Sequence, residues 1–295
     1  MSDQPASSVL LALSTGFASL IRDIAPSLVS IQSVHARSTG FSWRPGLIVG
    51  AENALPEDGK HSIVTHDGAS IPAQIVGRDP STDVALLKIE RTDLPKPPSA
   101  AATPAAGALA VVAGAREGAA NAAMGVVSFI GPHWRSLRGG LIDARIELDA
   151  ALARSSEGGL ALDASGQVIG MAVFGPRRRT LIIPMTTIDR VADVLATKGR
   201  IARGYLGLGL QPIKLDGGGA GAMAISVDPK GPGAAAGVRQ GDIIVAWNGE
   251  PIRGVHQLVR ALGPESVGAS VRLTLRRGGE PIETVLTIGE RPESQ

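Results

Sequence analysis

The chain has 295 residues, of which 38 are Gly and 20 are Pro, about a fifth of all positions and well above average usage. That composition excludes a helical bundle, while 44% hydrophobic residues are enough for a core and exclude disorder throughout. Lys and Arg number 29 against 27 Asp and Glu, a formal charge of +2 with no long basic block, so nucleic acid is not an expected partner; the lack of Cys removes disulfides, thiolate metal sites and thiol nucleophiles.

Gln4 to Ile21 is uncharged and contains Val9-Leu10-Leu11-Ala12-Leu13, but it lacks the basic n-region of a signal peptide and is interrupted by Ser14, Thr15 and Gly16. Phe17, Leu20, Ile21 and Ile24 fall at i, i+3, i+4 and i+7, the stripe of a packed surface helix that Pro26 ends. A second uncharged run, Pro97 to Ala115, is rich in Pro and Ala and reads as a loop leading into a strand. No membrane span is expected, and the cytoplasm is the expected compartment, with the periplasm as the alternative if the start site is misassigned.

Short β-type runs then follow one another: Leu28–Val34, Gly46–Val49, Ser62–Thr65, Ala73–Val76, Val84–Ile89, Ala108–Ala113, Gly125–Ile130, Leu141–Leu148, Gln167–Phe174 and Thr180–Ile183. So many strands with few helices between them predict an antiparallel barrel or sandwich and not a βαβ sheet. Thr187 to Lys198 reads as a helix, with Ile188, Val191, Val194 and Leu195 on one face and Gly199 at its end. After the short segment Arg200–Arg203 a second, mixed α/β unit begins. Leu206–Leu210, Ala222–Val227 and Ile243–Trp247 are strands there, and Asn248-Gly249 is a tight-turn signal. Val255, Leu258, Val259 and Leu262 mark a helix, and Val271–Leu275 pairs with Ile282–Leu286 in a closing hairpin.

From about residue 16 to 290 the sequence resembles the HtrA/Deg serine proteases, a mainly β architecture in which a chymotrypsin-like double antiparallel β-barrel precedes a small α/β PDZ domain. Phe17-Ala18-Ser19-Leu20 through Ala25-Pro26-Ser27-Leu28-Val29-Ser30-Ile31 looks like the family's entry helix and first strand. Val76-Gly77-Arg78-Asp79-Pro80-Ser81-Thr82-Asp83-Val84-Ala85-Leu86-Leu87 resembles the segment holding its catalytic Asp. Asp149-Ala150-Ala151 and Gly166-Gln167-Val168-Ile169-Gly170 flank what looks like the nucleophile loop. In the second unit, Tyr205-Leu206-Gly207-Leu208 resembles the carboxylate-binding loop of a PDZ domain, and Gly241-Asp242-Ile243-Ile244 its middle. The resemblance implies an N-terminal tail at 1–15, a protease-fold domain at 16–199, a linker at 200–204, a PDZ domain at 205–291 and a C-terminal tail at 292–295.

Acyl transfer needs a hydroxyl, an imidazole to take its proton, a carboxylate to orient that imidazole, and backbone donors for the oxyanion. Laid on the family pattern, Asp83 retains the triad Asp, Asn53 stands at the His position (Glu52 with a slip of one), and Glu157 stands at the Ser position. A register shifted by one instead makes Ser156 the nucleophile. His35, His61, His66, His133 and His256 match no catalytic segment and read as ordinary surface or packing residues. Asp83, Glu157 and Asn53 or Glu52, if the fold is kept, also form an oxygen set that suits a hard cation, although no metal or cofactor is expected. Arg177-Arg178-Arg179 reads as a solvated loop, its alternative being attraction of acidic partners.

The implied function is that of a catalytically inactive relative whose PDZ domain binds peptides or protein C-termini through Tyr205, Leu206, Gly207 and Leu208, acting as a scaffold, regulator or chaperone-like protein. The alternative is an active serine endopeptidase using Ser156. The implied partners include a second and third copy in a homotrimer, or an active paralogue in a mixed oligomer.

Overall fold

The computed structural model describes residues 5–34, 36–57, 59–98, 100, 103–215 and 218–292. His35 and the outermost residues of both expected tails, 1–4 and 293–295, lie outside the described residues. The chain divides into two compact units, residues 1–134 with 142–200, and residues 135–141 with 201–295.

The first unit holds two closed antiparallel barrels. One is built from β1 (Leu28–Gln32), β2 (Arg37–Arg44), β3 (Leu47–Ala51), β4 (His61–Thr65), β5 (Ser70–Asp79) and β6 (Val84–Lys88), hydrogen-bonded in the order β1-β2-β3-β6-β5-β4. Closure leaves no open sheet edge. Val29, Ile31, Ile48, Ile63 and Leu87 fill it. The other closes β7 (Leu109–Arg116) and β8 (Ala119–Gly131) with strands Arg145–Asp149, Leu160–Asp163, Val168–Phe174 and Thr180–Pro184, around Val112, Val127, Ile146, Ala161 and Ile182.

Two of these twelve strands carry no β-type signal. β2 is Arg-Ser-Thr-Gly-Phe-Ser-Trp-Arg, a turn-like composition, yet all six inner residues are buried. Its small side chains are what the barrel wall accepts: a Cβ on Gly40 would stand 2.8 Å from both the Ile31 side chain and the Val49 carbonyl. Leu160–Asp163 is only four residues long. The run Leu141–Leu148, expected as one strand, is broken, with pairing at Leu141–Ile142 and again at Arg145–Asp149.

Two helices flank the barrels. α1 (Pro5–Ile24) begins well before Phe17, so residues 5–15 of the expected tail are helical. Its predicted stripe packs, with Ile24 buried and Phe17, Leu20 and Ile21 half-buried, but Val9, Leu10 and Leu11 are 64%, 66% and 69% exposed. The N-terminal half of α1 is therefore apolar without being core. α2 (Met185–Lys198) buries Ile188, Val191, Ala192 and Leu195 and ends at Gly199, which takes φ 72° and donates to the Leu195 carbonyl. A left-handed residue there is the standard helix stop, and only Gly adopts it without strain.

The second unit is a sheet in the order Leu208–Lys214, Ala220–Val227, Ile243–Trp247, Ser270–Arg277, Glu280–Thr287, with the short strand Glu250–Pro251 beside Ile243–Trp247. Ala222, Ala224, Ile244, Leu273 and Leu286 are fully buried, and Leu258 of the helix Val255–Ala261 joins them. Asn248 and Gly249 have φ 51° and 83°, the paired positive angles of a type I′ turn, and bring Trp247 opposite Glu250.

Candidate functional site

The β3–β6 pairing sets Ala51 opposite Val84, which brings the residues just after one strand against the residue just before the other. The chain turns there as a 3-10 helix, Glu52–Ala54. Asn53 donates its backbone N–H to Asp83 Oδ1 at 2.8 Å, and Glu52 donates its own to the Asp83 carbonyl at 3.3 Å. Asp83 is buried and sits at φ 61°, an angle that short Asp side chains tolerate better than most. Burial pushes its carboxyl up to about 7, against hydrogen bonds from Asn53 that favour the anion, while the charges of Glu157 and Glu52 add to the rise. Glu52 is engaged elsewhere: its carboxylate accepts from Arg78, which also donates to the Leu55 carbonyl.

The segment facing this pair runs from Ala153 to Gly159. Thr39 of β2 fastens it from below, donating its N–H to the Glu157 carbonyl at 2.8 Å and its hydroxyl to the Ser155 carbonyl at 2.6 Å, while Ala115 N–H donates to Thr39 Oγ1. This packing is what requires two glycines. A Cβ on Gly158 would lie 2.2 Å from the Thr39 carbonyl oxygen, and one on Gly159 would lie 2.3 Å from that of Ala113. Side chains alternate along the segment. Ser155 and Glu157 line a cavity of about 770 Å³ shared with Asn53 and Phe174. Ser156 between them is buried, and its hydroxyl donates to Asn121 Oδ1 of β8 at 2.7 Å.

Four consecutive backbone donors at the end of this segment are spent. Ser156 N–H donates to the Ala153 carbonyl, Glu157 to Arg154, Gly158 to Ala172 and Gly159 to Ser156, at 2.9, 3.3, 2.8 and 2.9 Å. None of these four is left to meet an oxyanion in the cavity, the Glu157 amide at the expected nucleophile position included. Among the described residues no His lines the cavity. His66, His133 and His256 are exposed; His61 is buried in β4, where desolvation, with the Arg78 charge behind it, holds its imidazole below the usual value and its Nδ1 has no partner. Nor do the described residues bring three or more His, Cys, Asp or Glu side chains into a metal-ligating group. Burial raises the Glu157 carboxyl as well.

In the second unit, Tyr205-Leu206-Gly207-Leu208 leads into the sheet's edge strand, Leu208–Lys214. Gly207 has φ 70°, and its carbonyl accepts from Asp228 N–H while the Leu206 carbonyl accepts from Gly233 N–H. Among the described residues the Leu206 and Gly207 N–H groups make no hydrogen bond. Beside them a groove of about 270 Å³ runs between the edge strand and the helix Val255–Ala261, walled by Leu206, Leu208, Leu210, Leu258 and Leu262. The Tyr205 hydroxyl is held by Asp228 Oδ2 at 3.0 Å. Two free amides above an apolar slot and an unpaired strand edge can take a carboxylate and the extended chain that carries it.

Comparison with known proteins agrees with this architecture. A trypsin-like peptidase domain model matches residues 38–171 and a PDZ domain model matches residues 224–277. An HtrA-type protease solved with a decapeptide superposes with a TM-score of 0.68 at 19% identity, covering 94% of this chain and 99% of its own. A Brucella suis protein named a DegP-like periplasmic serine endoprotease is 31% identical over 281 residues, which cover 88% of this chain. The chain belongs to the HtrA family. Its barrels and PDZ fold also match the crystal structure of a serine endoprotease from Yersinia pestis, with a TM-score of 0.69, 24% identity and coverage of 94% of this chain and 98% of that one. The chain spans about half the length, 54%, of the Brucella HtrA relative.

Two expectations are revised. The cytoplasmic location is overturned: curated HtrA relatives are named periplasmic, and Ser8–Ser27 is, by length and composition, apolar enough to cross a membrane, as a signal sequence is. The Arg177-Arg178-Arg179 loop is more than solvated, because Arg179 pairs with Glu147 at 2.9 Å and Arg178 lies 5.3 Å over the Phe174 ring. Thr39 and Asn121, which set the direction of the Ser155–Glu157 side chains, escaped sequence reading. Asn121 is a lone polar residue among alanines, Thr39 lies in the turn-like run of β2, and no motif marks either.

Proposed function

We propose that this HtrA relative is a periplasmic binding protein whose PDZ groove captures peptides or protein C-termini, while its barrel cleft does not hydrolyse them, so that it serves as a scaffold, regulator or chaperone-like component. The observation that carries the reading is the segment Ala153–Gly159. It turns Glu157 into the cavity and Ser156 away to Asn121, and ties the Glu157 amide to the Arg154 carbonyl, where an oxyanion would need it. A carboxylate at Glu157 cannot supply the hydroxyl of an acyl-enzyme, and Asn53 beside Asp83 cannot act as an imidazole base. The free Leu206 and Gly207 amides support peptide capture at the PDZ loop. Assembly as a homotrimer, or mixed with an active family member, belongs to the same reading, supported by the exposed apolar side chains of Val9, Leu10 and Leu11.

Intact-mass detection of fluorophosphonate labelling tests the barrel half directly. No adduct is expected under conditions that label an active HtrA protease. The second reading, an endopeptidase acting through Ser156, is favoured by the names of the curated relatives, which are serine endoproteases. An adduct that disappears in Ser156→Ala establishes that reading and overturns the first.

A further inference from the structure

The cavity at the barrel cleft carries a charge that the remnants of a triad do not explain. Arg37, Arg116, Arg154 and Arg178 all line it, against Glu157 as the single acidic side chain among the described residues. They come from four separate pieces of chain: the start of β2, the end of β7, the 3-10 turn Arg154–Ser156 and the turn Pro176–Arg178. Arg37 is paired with Glu117. Arg116, Arg154 and Arg178 make no ion pair within bonding distance among the described residues, and Arg154 meets Glu157 only through its field. A lone solvated Arg is ordinary, but three unpaired guanidinium groups gathered around one concavity repel one another and focus a positive potential into it.

The size and lining of the cavity select the guest. At about 770 Å³ it is far larger than one carboxylate or phosphate group, whose share of volume is near that of a few waters, about 30 Å³ each. Ala36, Ala54 and Phe174 add apolar surface to the same lining, which suits short side chains. Phe174 is the single aromatic in the lining among the described residues and is already covered by Arg178, so those residues offer no row of stacked platforms of the kind single-stranded nucleic acid uses. Arg forks bind carboxylates in bidentate fashion, which suits Asp and Glu side chains on an extended chain.

We propose that the barrel cleft of this chain is a docking site for an acidic peptide segment, gripped by Arg116, Arg154 and Arg178. The site rests on the reading that the cleft does not cleave peptides and is separate from the PDZ groove, so a protein can have either, both or neither.

Fluorescence anisotropy on the full chain tests it, with a labelled, C-terminally amidated octapeptide of alternating Glu and Ala as the probe. Amidation removes the carboxylate that the PDZ loop would hold. Binding is expected to weaken by about tenfold or more in Arg116→Ala/Arg154→Ala/Arg178→Ala, since each loses a charge-assisted hydrogen bond to the peptide. It should also weaken with rising salt and be lost when Gln replaces Glu in the peptide. Gly207→Trp should leave it unchanged. The three Arg side chains are exposed, so the triple variant should melt like the parent; if it does not, Arg178→Ala alone, in a surface turn, should still weaken binding measurably. Equal affinity for the Gln peptide, or undiminished binding in the Arg variants, overturns the proposal, and tighter binding of a labelled oligouridylate of the same length overturns the peptide as occupant. Mass analysis of the probe afterwards keeps the two readings apart: a cleaved peptide that depends on the Arg side chains refutes inactivity and leaves the site, whereas an intact, unbound peptide refutes the site alone.

Discussion

Two short loops, one in each unit, invite comparison because both present successive backbone amides beside a cavity. Ala153–Gly159 in the barrel unit uses its amides from Ser156 to Gly159 on its own neighbourhood, and Tyr205–Leu208 in the PDZ unit leaves those of Leu206 and Gly207 unbonded. Glycines occur in both, so composition does not separate them. The difference lies in what each loop is fastened to. Thr39 and the 3-10 turn pull the first shut, whereas the second is held through its carbonyls, by Asp228 and Gly233, so that its N–H groups stay outward. An amide binds a ligand only if the fold has not already satisfied it.

The same contrast extends to buried carboxylates. Asp83 of the barrel is raised to about 7 chiefly by burial, whereas Asp242 of the PDZ sheet is held low, first of all by its hydrogen bonds to Arg277. Their pH effects have opposite signs. Native Asp83 keeps its proton up to about pH 7 while the unfolded chain loses it near 3.8, so its contribution to stability is present at acid pH and lost as pH rises through 7. Replacing it with neutral Asn should remove that loss: Asp83→Asn gains over the parent from pH 5 to pH 8, by at most about 3 kcal/mol for the two pH units below 7. Urea melts at the two pH values check this, and an equal difference at both would show that Asp83 is not buried as described.

Asp242→Ala should come next. It strips a side chain that is 1% exposed from Arg277 and from the Arg239 amide, at a cost of about 3 kcal/mol. Thermal melts of the full chain should show the PDZ unit failing first, and its stability in the parent should fall as pH drops through the lowered Asp242 pKa. Gly207→Trp would break the comparison at the other loop. A side chain there is strained at φ 70° and begins 2.9 Å from the Gly231 Cα, so affinity for hydrophobic C-terminal peptides should fall roughly a hundredfold, near 2.7 kcal/mol. Unchanged affinity, measured by titration calorimetry, would detach peptide binding from this loop. The smallest effect is expected for Ser156→Ala, about 1 kcal/mol of stability for the lost bond to Asn121, read from denaturant midpoints.

Much of the architecture was legible because its signals are local. Alternating apolar residues mark most of the barrel strands, Gly199 stops α2, and Asn248-Gly249 makes its hairpin turn, since each depends only on the chain within a few residues. β2 was not legible. Its Ser38, Thr39, Gly40 and Ser42 look like loop residues until the barrel closes around them and leaves no room for more. The compartment was misjudged for a related reason: the stripe at Phe17 to Ile24 does pack, but nothing local shows that Val9, Leu10 and Leu11 ahead of it find no core.

The sequence by itself determined a series of short antiparallel strands followed by a mixed α/β unit, because strand period and turn chemistry act over a few residues, and its resemblance to the HtrA/Deg proteases supplied the two barrels and the places of Asn53, Asp83, Glu157 and the 205–208 loop. Only the tertiary structure decided that Ser156 faces Asn121 and Glu157 the cavity, that the amides of Ser156 to Gly159 are spent while those of Leu206 and Gly207 are not, and that four Arg side chains from distant segments share one concavity. Those outcomes turn on contacts between residues 35 to 116 positions apart, such as Ser156 with Asn121 and Thr39 with Ser155, which no local pattern encodes.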